Sequence, residues 1–286
     1  MTEHPVFVPF GDGVLSMVVA LPEGDARGAV VNVTGTVLTS NVGSYLCSRL
    51  AGPLAEQGIA SIRMDFSGAG DSPGQVEGVA LDSIDWALDC ASTALEAIQE
   101  LASVERFAAV GTCYGTRIVF RLLRDPRCVG AVCLAPVLLE TRAWSRMRTR
   151  YSKRSLITLI KSSRLLRLLI LRPVKLLVGE RKPATVVLDA VNQLDHARLR
   201  LIISHFLRDH WSPPALKGLE EARAKLPADE QRRLEVQIVD DGPLSTFEFM
   251  PREAQARTVA SVVEALVAAF DEAEARDGAA LAVAVG

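Results

Sequence analysis

The chain lacks the features that would place it in a membrane, in a disulfide framework or on nucleic acid. Its 286 residues contain no apolar run close to the ~20 residues needed to cross a bilayer, and we expect no signal peptide. The five cysteines are an odd number without disulfide-type or metal-type spacing, which indicates a reducing, cytoplasmic compartment. A net charge of −2 gives no reason to expect nucleic acid as a partner.

Histidine is scarce, and this limits the metal and acid–base chemistry that the chain can perform. The sequence contains four histidines: His4, His196, His205 and His210. Asp82, Asp85 and Asp89 have partial helical spacing but no histidine between them. A solvated acidic helix face explains these aspartates better than a metal site does. We therefore expect neither a metal nor another cofactor.

What the chain does have is a regular alternation of strand-like and helix-like segments. A predicted hairpin turns at Gly11-Asp12-Gly13, and four buried-type strands then alternate with amphipathic helical segments up to about residue 140. Strand character returns at 199–204 and 234–239, and a long amphipathic helix is predicted at 252–273. This alternation is typical of a mainly parallel sheet covered by helices on both faces.

A basic segment interrupts this alternation. Residues 142–182 contain thirteen lysines and arginines and one acid, a net charge of +12, which leaves −14 on the rest of the chain. Leucines and isoleucines at helical spacing accompany the charges. We predict a helical cap at 141–195, inserted into a core formed by 1–140 and 196–276. The small-residue segment 277–286 is predicted to be a flexible tail.

The most informative motif is Gly111-Thr112-Cys113-Tyr114-Gly115, which lies between an apolar strand-like run and a helical segment. In a strand–turn–helix elbow the central residue is strained, and glycines two positions to either side let strand and helix approach closely. The helix N-terminus there favours a thiolate and a developing oxyanion. The alternative is a plain strand and helix in which Cys113 is only a small apolar side chain.

In chain order, the hairpin, the loop 34–36, the segment 65–72, the elbow, the insertion and the terminal helix resemble the α/β-hydrolase fold. Residues 65–72, Asp-Phe-Ser-Gly-Ala-Gly-Asp-Ser, resemble the Asp-x-Arg-Gly-x-Gly-x-Ser stretch of serine-aminopeptidase-like hydrolases, with Ser67 where arginine is common. The cysteine elbow and the Ala135-Pro136 closure of the next strand are similar to the exosortase-A-system-associated hydrolases. The resemblance covers nearly the whole chain.

The resemblance implies a nucleophile and an oxyanion hole. Cys113 takes the place of the nucleophile, and the backbone N–H of Tyr114 supplies one donor to the oxyanion. A second donor is expected from the loop at Gly35 and Thr36. The acid of the family follows the penultimate strand, where Asp209 matches best.

The general base is the point at which this chain departs from the family pattern. The segment after the last strand should resemble Gly-x-x-His-x-Phe, but residues 242–247 place Ser245 at the histidine position. His210, and secondarily His205, flank Asp209 and are candidates to replace the missing base; both also fit a solvated surface loop. Asp241 and Ser245 itself are further candidates to orient or replace a base.

These residues predict acyl transfer or hydrolysis on an ester or thioester through a cysteine, with a weakened triad. The alternative is a catalytically altered fold, either an isomerase or cyclase, or a non-enzymatic binding protein. The basic cap has three interpretations. The first is a solvated helical cover. The second is a docking surface for an acyl carrier protein or for the phosphates of coenzyme A. The third is a surface that contacts anionic lipid.

Overall fold

The structure is a computed structural model that describes residues 1–35, 46–74, 84–138, 183–204, 215–240, 242, 244, 247 and 250–285. The strands in these ranges are β1 (Thr2–Phe10), β2 (Gly13–Leu21), β3 (Gly28–Val33), β4 (Ile59–Met64), β5 (Phe107–Thr112), β6 (Cys128–Leu134), β7 (Arg198–Ser204) and β8 (Leu234–Val239). The helices are α1 (Leu46–Glu56), α2 (Ile84–Ala102), α3 (Gly115–Leu122), α4 (Thr185–Val191), α5 (Leu216–Arg223), α6 (Ala228–Arg233) and α7 (Arg252–Val285).

The strands form one sheet in the order β1-β2-β4-β3-β5-β6-β7-β8. β2 is antiparallel to both of its neighbours, β1 and β4, and the remaining pairs are parallel. Every residue of the central strands β3, β5 and β6 is buried, because helices cover both faces of the sheet. The predicted α/β-hydrolase architecture is confirmed.

Two apolar clusters lie on opposite faces of the sheet. In β3, Val31 and Val33 belong to the cluster that includes residues of α2, α3 and α4. Val30 points the other way, into the cluster that includes residues of α1 and α7. This alternation follows from the two-residue repeat of a strand. Burial of both sets of side chains sets the register of each strand in the sheet.

The C-terminal helix differs from its prediction. The helix was expected to end before residue 277, but α7 continues to Val285. Four alanines lie between residues 279 and 284, and alanine has the highest intrinsic helix propensity, which offsets the single glycine at 278. Asp277 also forms an ion pair with Arg106, which holds this part of the helix against the domain.

Residues 141–182 of the predicted cap lie outside the described ranges, whereas Leu138 before it and its last part, 183–195, lie within them. Leu138 accepts a hydrogen bond from the N–H of Ala184 at 2.7 Å, so the chain leaves and re-enters the domain at one place. The next helix, α4, buries Val187 and Ala190 in the same cluster as α3. The end of the insertion predicted at 195 is therefore too late, because α4 packs as part of the main domain.

The described residues offer neither a candidate membrane span nor a candidate metal site. In those residues no helix combines the length and the apolar character needed to span a bilayer. The same ranges contain no group of three or more His, Cys, Asp or Glu side chains placed to hold a metal ion.

Candidate active site

Cys113 lies at the carboxyl end of the central strand β5, between β3 and β6. Its φ of 51° is in the left-handed region, which non-glycine residues seldom adopt. The N–H of Cys113 donates to the carbonyl of Leu134 at 3.0 Å, and this bond extends the pairing of β5 with β6 into the turn. The chain then enters α3 at Gly115. This is the strand–turn–helix geometry that the sequence predicts.

The two glycines of the motif are required by close backbone contacts. A Cβ on Gly115 would lie 2.2 Å from the carbonyl oxygen of Val33, a distance that no carbon can occupy. A Cβ on Gly111 would lie 2.8 Å from Cγ2 of Val119 and 2.9 Å from Cα of Thr116. Glycine at both positions therefore lets α3 start directly above the sheet, as predicted.

The loop after β3 lies beside the turn that holds Cys113. A Cβ placed on Gly35 would lie 3.8 Å from Cβ of Cys113 and 4.0 Å from the backbone nitrogen of Tyr114. Gly35, which follows β3, and Cys113 are thus neighbours at the N-terminus of α3. Backbone N–H groups at a helix N-terminus stabilise negative charge. Thr36, the other residue predicted for this loop, lies outside the described ranges.

Burial distinguishes Cys113 from the other four cysteines. The side chain of Cys113 is partly exposed, whereas Cys47, Cys90, Cys128 and Cys133 are buried. Burial raises the pKa of the Cys90 thiol to about 11 and that of Cys128 to about 12, and it raises the pKa of Cys133 well above its usual value. A thiol held neutral in the core is a poor nucleophile, and among the five cysteines Cys113 is the one that is not buried.

The segment 65–72 forms a compact turn after β4. The hydroxyl of Ser72 donates to the carbonyl of Asp65 at 2.7 Å and accepts the N–H of Ser16 at 2.7 Å. One carboxylate oxygen of Asp65 accepts the N–H of Asp71 at 3.1 Å. Because these polar groups bind one another and neighbouring backbone, the turn holds the end of β4 in place and Ser72 has a structural role in it.

The two described histidines lie away from the elbow. His4 is exposed on the edge strand β1, four strands and about 19 Å from β5. The ring of His196 contacts the carbonyl of Leu123 at 3.1 Å through Nε2 and the carboxylate of Asp195 at 2.8 Å through Nδ1. Leu123 is at the far end of α3, about 12 Å along the helix axis from Gly115, where the helix begins. Neither histidine can serve the thiol.

The other predicted site residues lie outside the described ranges. They are Asp209, His210 and His205 after β7, and Asp241 and Ser245 after β8. The strands that precede them do end at the same edge of the sheet as β5, because β5, β6, β7 and β8 run parallel. Asp240, directly after β8, is exposed.

The structure also shows polar residues near the elbow that the sequence did not single out. Thr116 is fully buried in the first turn of α3, and its hydroxyl binds the carbonyl of Cys113. Arg117 is 5 % exposed, and Ser204 is completely buried at the end of β7. The hydroxyl of a threonine just inside a helix N-terminus commonly bonds to nearby backbone, and that was the one available signal for Thr116.

The comparison with known families now decides the family. The hydrolase family described as Serine aminopeptidase, S33 matches residues 24–210, about two thirds of the chain. The chain belongs to this family of α/β hydrolases. Members of this family usually have a serine nucleophile, whereas the residue in the turn after β5 of this chain is Cys113. Among curated proteins, no significant sequence match to the chain was found.

Solved structures share the fold at low sequence identity. An esterase from Pyrococcus furiosus superposes with a TM-score of 0.62 at 14% identity, covering 93% of this chain and 90% of the esterase. A proline iminopeptidase-related protein from Thermus thermophilus gives 0.56 at 18% identity, with 94% and 100% covered. The thioesterase domain from the curacin biosynthetic pathway gives 0.52 at 12% identity, with 92% and 100% covered. At these identities the likeness establishes the fold of this family member.

Proposed function

We propose that this hydrolase-family protein acts on an ester or thioester by acyl transfer or hydrolysis, with Cys113 as the nucleophile. The observation that carries the proposal is the presentation of one partly exposed thiol at positive φ, beside the loop after β3. A thiol has an ordinary pKa of about 8.5, and a helix N-terminus increases its thiolate fraction. A thioester can therefore acylate Cys113 without a strong base.

In the proposed first step, the sulfur of Cys113 bonds to the carbonyl carbon of the substrate and pushes an electron pair onto the carbonyl oxygen. The N–H of Tyr114 and the loop at Gly35 and Thr36 stabilise that oxyanion. Collapse of the intermediate breaks the bond to the leaving thiolate or alkoxide, which takes up a proton, and leaves an acyl thioester on Cys113. Water or another acceptor then takes the acyl group.

The second step needs a base, and we assign it to His210, with Asp209 as its orienting acid and His205 as the second candidate. Their support is their position directly after β7, whose carboxyl end lies at the same edge of the sheet as Cys113. Exclusion of His4 and His196 leaves these two as the remaining histidine candidates in the sequence. With Ser245 at the usual histidine position, we expect slow deacylation.

For the substrate, we propose a thioester of coenzyme A or of an acyl carrier protein that docks on the basic segment 142–182. Its support is the net charge of +12 in that segment against −14 in the rest of the chain. Phosphates and acidic carrier surfaces are bound by such arginine clusters. Weakening of the interaction by added salt is the corresponding expectation.

Weighing the intact protein after incubation with an activated acyl thioester tests the proposal. The wild type should gain the mass of one acyl group, which is then lost slowly as the thioester hydrolyses. Cys113→Ala should gain none, and Cys113→Ser, which keeps the shape of the site, should gain it far more slowly. An unmodified wild type, or an adduct that survives in Cys113→Ala, contradicts the proposal.

Single substitutions test the assignment of the base. His210→Ala should slow deacylation on the order of 10²-fold or more, because water then lacks a group to accept its proton, while acylation changes less. His205→Ala is the matched control from the same loop. If deacylation slows in His205→Ala and not in His210→Ala, His205 is the base. If it slows in neither variant, no histidine serves Cys113.

One observation favours a second function, that of a catalytically altered hydrolase fold acting as an isomerase, a cyclase or a binding protein. Ser245 occupies the histidine position of the family pattern. Under this function, ligand binding persists in Cys113→Ala and the wild type forms no acyl adduct. The mass measurement therefore separates the two functions.

A further inference from the structure

A fully buried threonine links the elbow to the loop that follows β6. The hydroxyl of Thr116 donates to the carbonyl oxygen of Cys113 at 2.6 Å. The same hydroxyl oxygen accepts the backbone N–H of Val137 at 3.2 Å. Since an N–H can only donate, the hydroxyl proton of Thr116 is left for the carbonyl of Cys113. The direction of both hydrogen bonds is therefore fixed.

The carbonyl that Thr116 binds belongs to the peptide group that joins Cys113 to Tyr114. That planar group also carries the N–H of Tyr114, the donor assigned to the oxyanion hole. Holding the C=O in one direction therefore holds the N–H in the opposite direction. Hydrogen bonds in a chain also polarise one another, so the bond accepted by the carbonyl strengthens the N–H as a donor.

Both segments that the Thr116 hydroxyl contacts, the turn at Cys113 and the loop after β6, contain strained backbone. Cys113 has a φ of 51°, and Ala135, two residues before Val137, has a φ of 45°. Such conformations persist only where surrounding contacts hold them. The N–H of Ala135 donates to the carbonyl of Ile202 at 2.9 Å, which anchors the loop after β6 to β7. Thr116 thus joins two strained turns across the carboxyl ends of β5, β6 and β7.

We propose that Thr116 is a positioning residue, whose hydroxyl aims the Cys113–Tyr114 peptide at the developing oxyanion. This inference rests on the proposed function, in which that peptide stabilises negative charge while Cys113 is acylated. It acts through the peptide and not on the sulfur. Thr116 should therefore affect reactions that form an oxyanion and leave simple alkylation of the thiol unchanged.

Comparison of two reactions of Cys113 tests this distinction. Thr116→Val removes the hydroxyl and keeps the branched shape, and acylation by an activated thioester should slow on the order of tenfold. Alkylation by iodoacetamide develops no oxyanion and should change by less than about twofold. Thr116→Ser keeps the hydroxyl and should be acylated at about the wild-type rate. Equal slowing of both reactions, or no slowing of acylation, overturns the proposal.

A matched control separates the site from general loss of a buried threonine. Thr258 is also buried, and its hydroxyl donates to the carbonyl of Ala254 at 2.9 Å within α7. Thr258→Val removes a buried hydroxyl that is bonded to a carbonyl in the same way, but away from Cys113, and should leave the acylation rate unchanged. Thermal melts of all variants show whether Thr116→Val folds, and Thr116→Ala, which adds no methyl group, takes its place if it does not.

The amide resonance of Tyr114 gives a readout that needs no acylation. The chain has three tyrosines, so ¹⁵N-tyrosine labelling yields three amide peaks, and Tyr114→Phe identifies the relevant one. A peptide nitrogen is deshielded when its carbonyl accepts a hydrogen bond, so Thr116→Val should move that peak upfield and Thr116→Ser should leave it in place. An unmoved peak overturns the positioning role even if the wild type is acylated. A moved peak with no adduct on the wild type overturns only the proposed function.

Discussion

The amino ends of the parallel strands carry arginines in ion pairs, whereas the carboxyl ends carry strained backbone and buried polar side chains. Arginines directly precede or begin β3, β5, β7 and β8: Arg27, Arg106, Arg198 and Arg233. Their carboxylate partners on the second half of α7 are Asp271, Glu272, Glu274 and Asp277. One end therefore fastens the helix to the sheet, and the other presents Cys113.

The comparison shows that backbone strain lies at the carboxyl ends of the strands, whereas stabilising ion pairs lie at their amino ends. At the carboxyl end, Cys113 and Ala135 adopt left-handed backbone conformations that cost on the order of 1–3 kcal/mol each. That cost is offset elsewhere, by the apolar clusters and by the fastened helix. Substitutions at the two ends should consequently separate reactivity from stability.

The largest expected effect comes from closing the space at the elbow. Gly115→Ala places a carbon 2.2 Å from the carbonyl oxygen of Val33, so α3 must move away from β3. We expect a loss of roughly 3 kcal/mol or more in the free energy of unfolding, together with loss of acylation. Denaturant unfolding measures the first quantity.

Gly278→Ala is the control for this change. Gly278 lies inside α7, and a Cβ there contacts no atom within 4 Å. Alanine should stabilise the protein by about 0.5–1 kcal/mol, because it is the better helix former. Equal stability losses in the two variants would show that contact with β3 is not what requires glycine at the elbow.

Counting thiols sharpens the comparison between the elbow and the core. A chromogenic disulfide reagent should titrate one thiol promptly in the native protein, because Cys113 is the partly exposed cysteine. The other four should react only after denaturation, since burial keeps them away from the reagent. Cys113→Ala should show no prompt thiol. Two or more prompt thiols in the wild type would contradict the contrast.

At the amino end, Arg233→Ala should lower stability without touching reactivity. The Arg233 side chain is 16% exposed; it pairs with Glu272 at 3.0 Å and donates to the carbonyl of Leu194 at 2.8 Å. Its loss should cost about 1–3 kcal/mol in the free energy of unfolding. The acylation rate of the folded protein should stay within about twofold of wild type. A larger fall in rate would show that the two ends are coupled.

The smallest effect is electrostatic and depends on pH. Asp125 lies between α3 and β6, and hydrogen bonds from Arg127 hold the pKa of its carboxyl below its usual value of 3.8. The pair stabilises the fold above pH 3.8, and this contribution is lost as pH falls through the lowered pKa of the folded state. Arg127→Ala should cost under about 1 kcal/mol at neutral pH.

The pH series itself provides the check on that pair. Unfolding curves of wild type and Arg127→Ala should differ by a constant amount from neutral pH down to about pH 4 and should converge at lower pH. A difference that grows on acidification would have the wrong sign for this pair.

The sequence predicted the features that depend on local pattern. Strand and helix positions followed from apolar spacing, and the sharp turn between β5 and α3 followed from the glycines at 111 and 115. The burial of Cys47, Cys90, Cys128 and Cys133 was also predictable, because all four lie within apolar strand or helix segments.

Contacts between distant segments were not predictable in this way. The bond between Thr116 and Val137 depends on how the chain leaves β6, and nothing in either local sequence encodes that meeting. Likewise, α4 follows a basic amphipathic segment and was assigned to the cap, although its valines pack on α3. Tertiary packing decided both.

The most direct test of the central claim locates the acyl group. Trypsin cleaves after Arg106 and Arg117, so one peptide, residues 107–117, contains Cys113 and no other cysteine. After brief incubation with an activated acyl thioester, this peptide should carry the acyl mass while those with the buried cysteines stay unmodified. Acylation of another cysteine instead, or none on residues 107–117, would contradict the account.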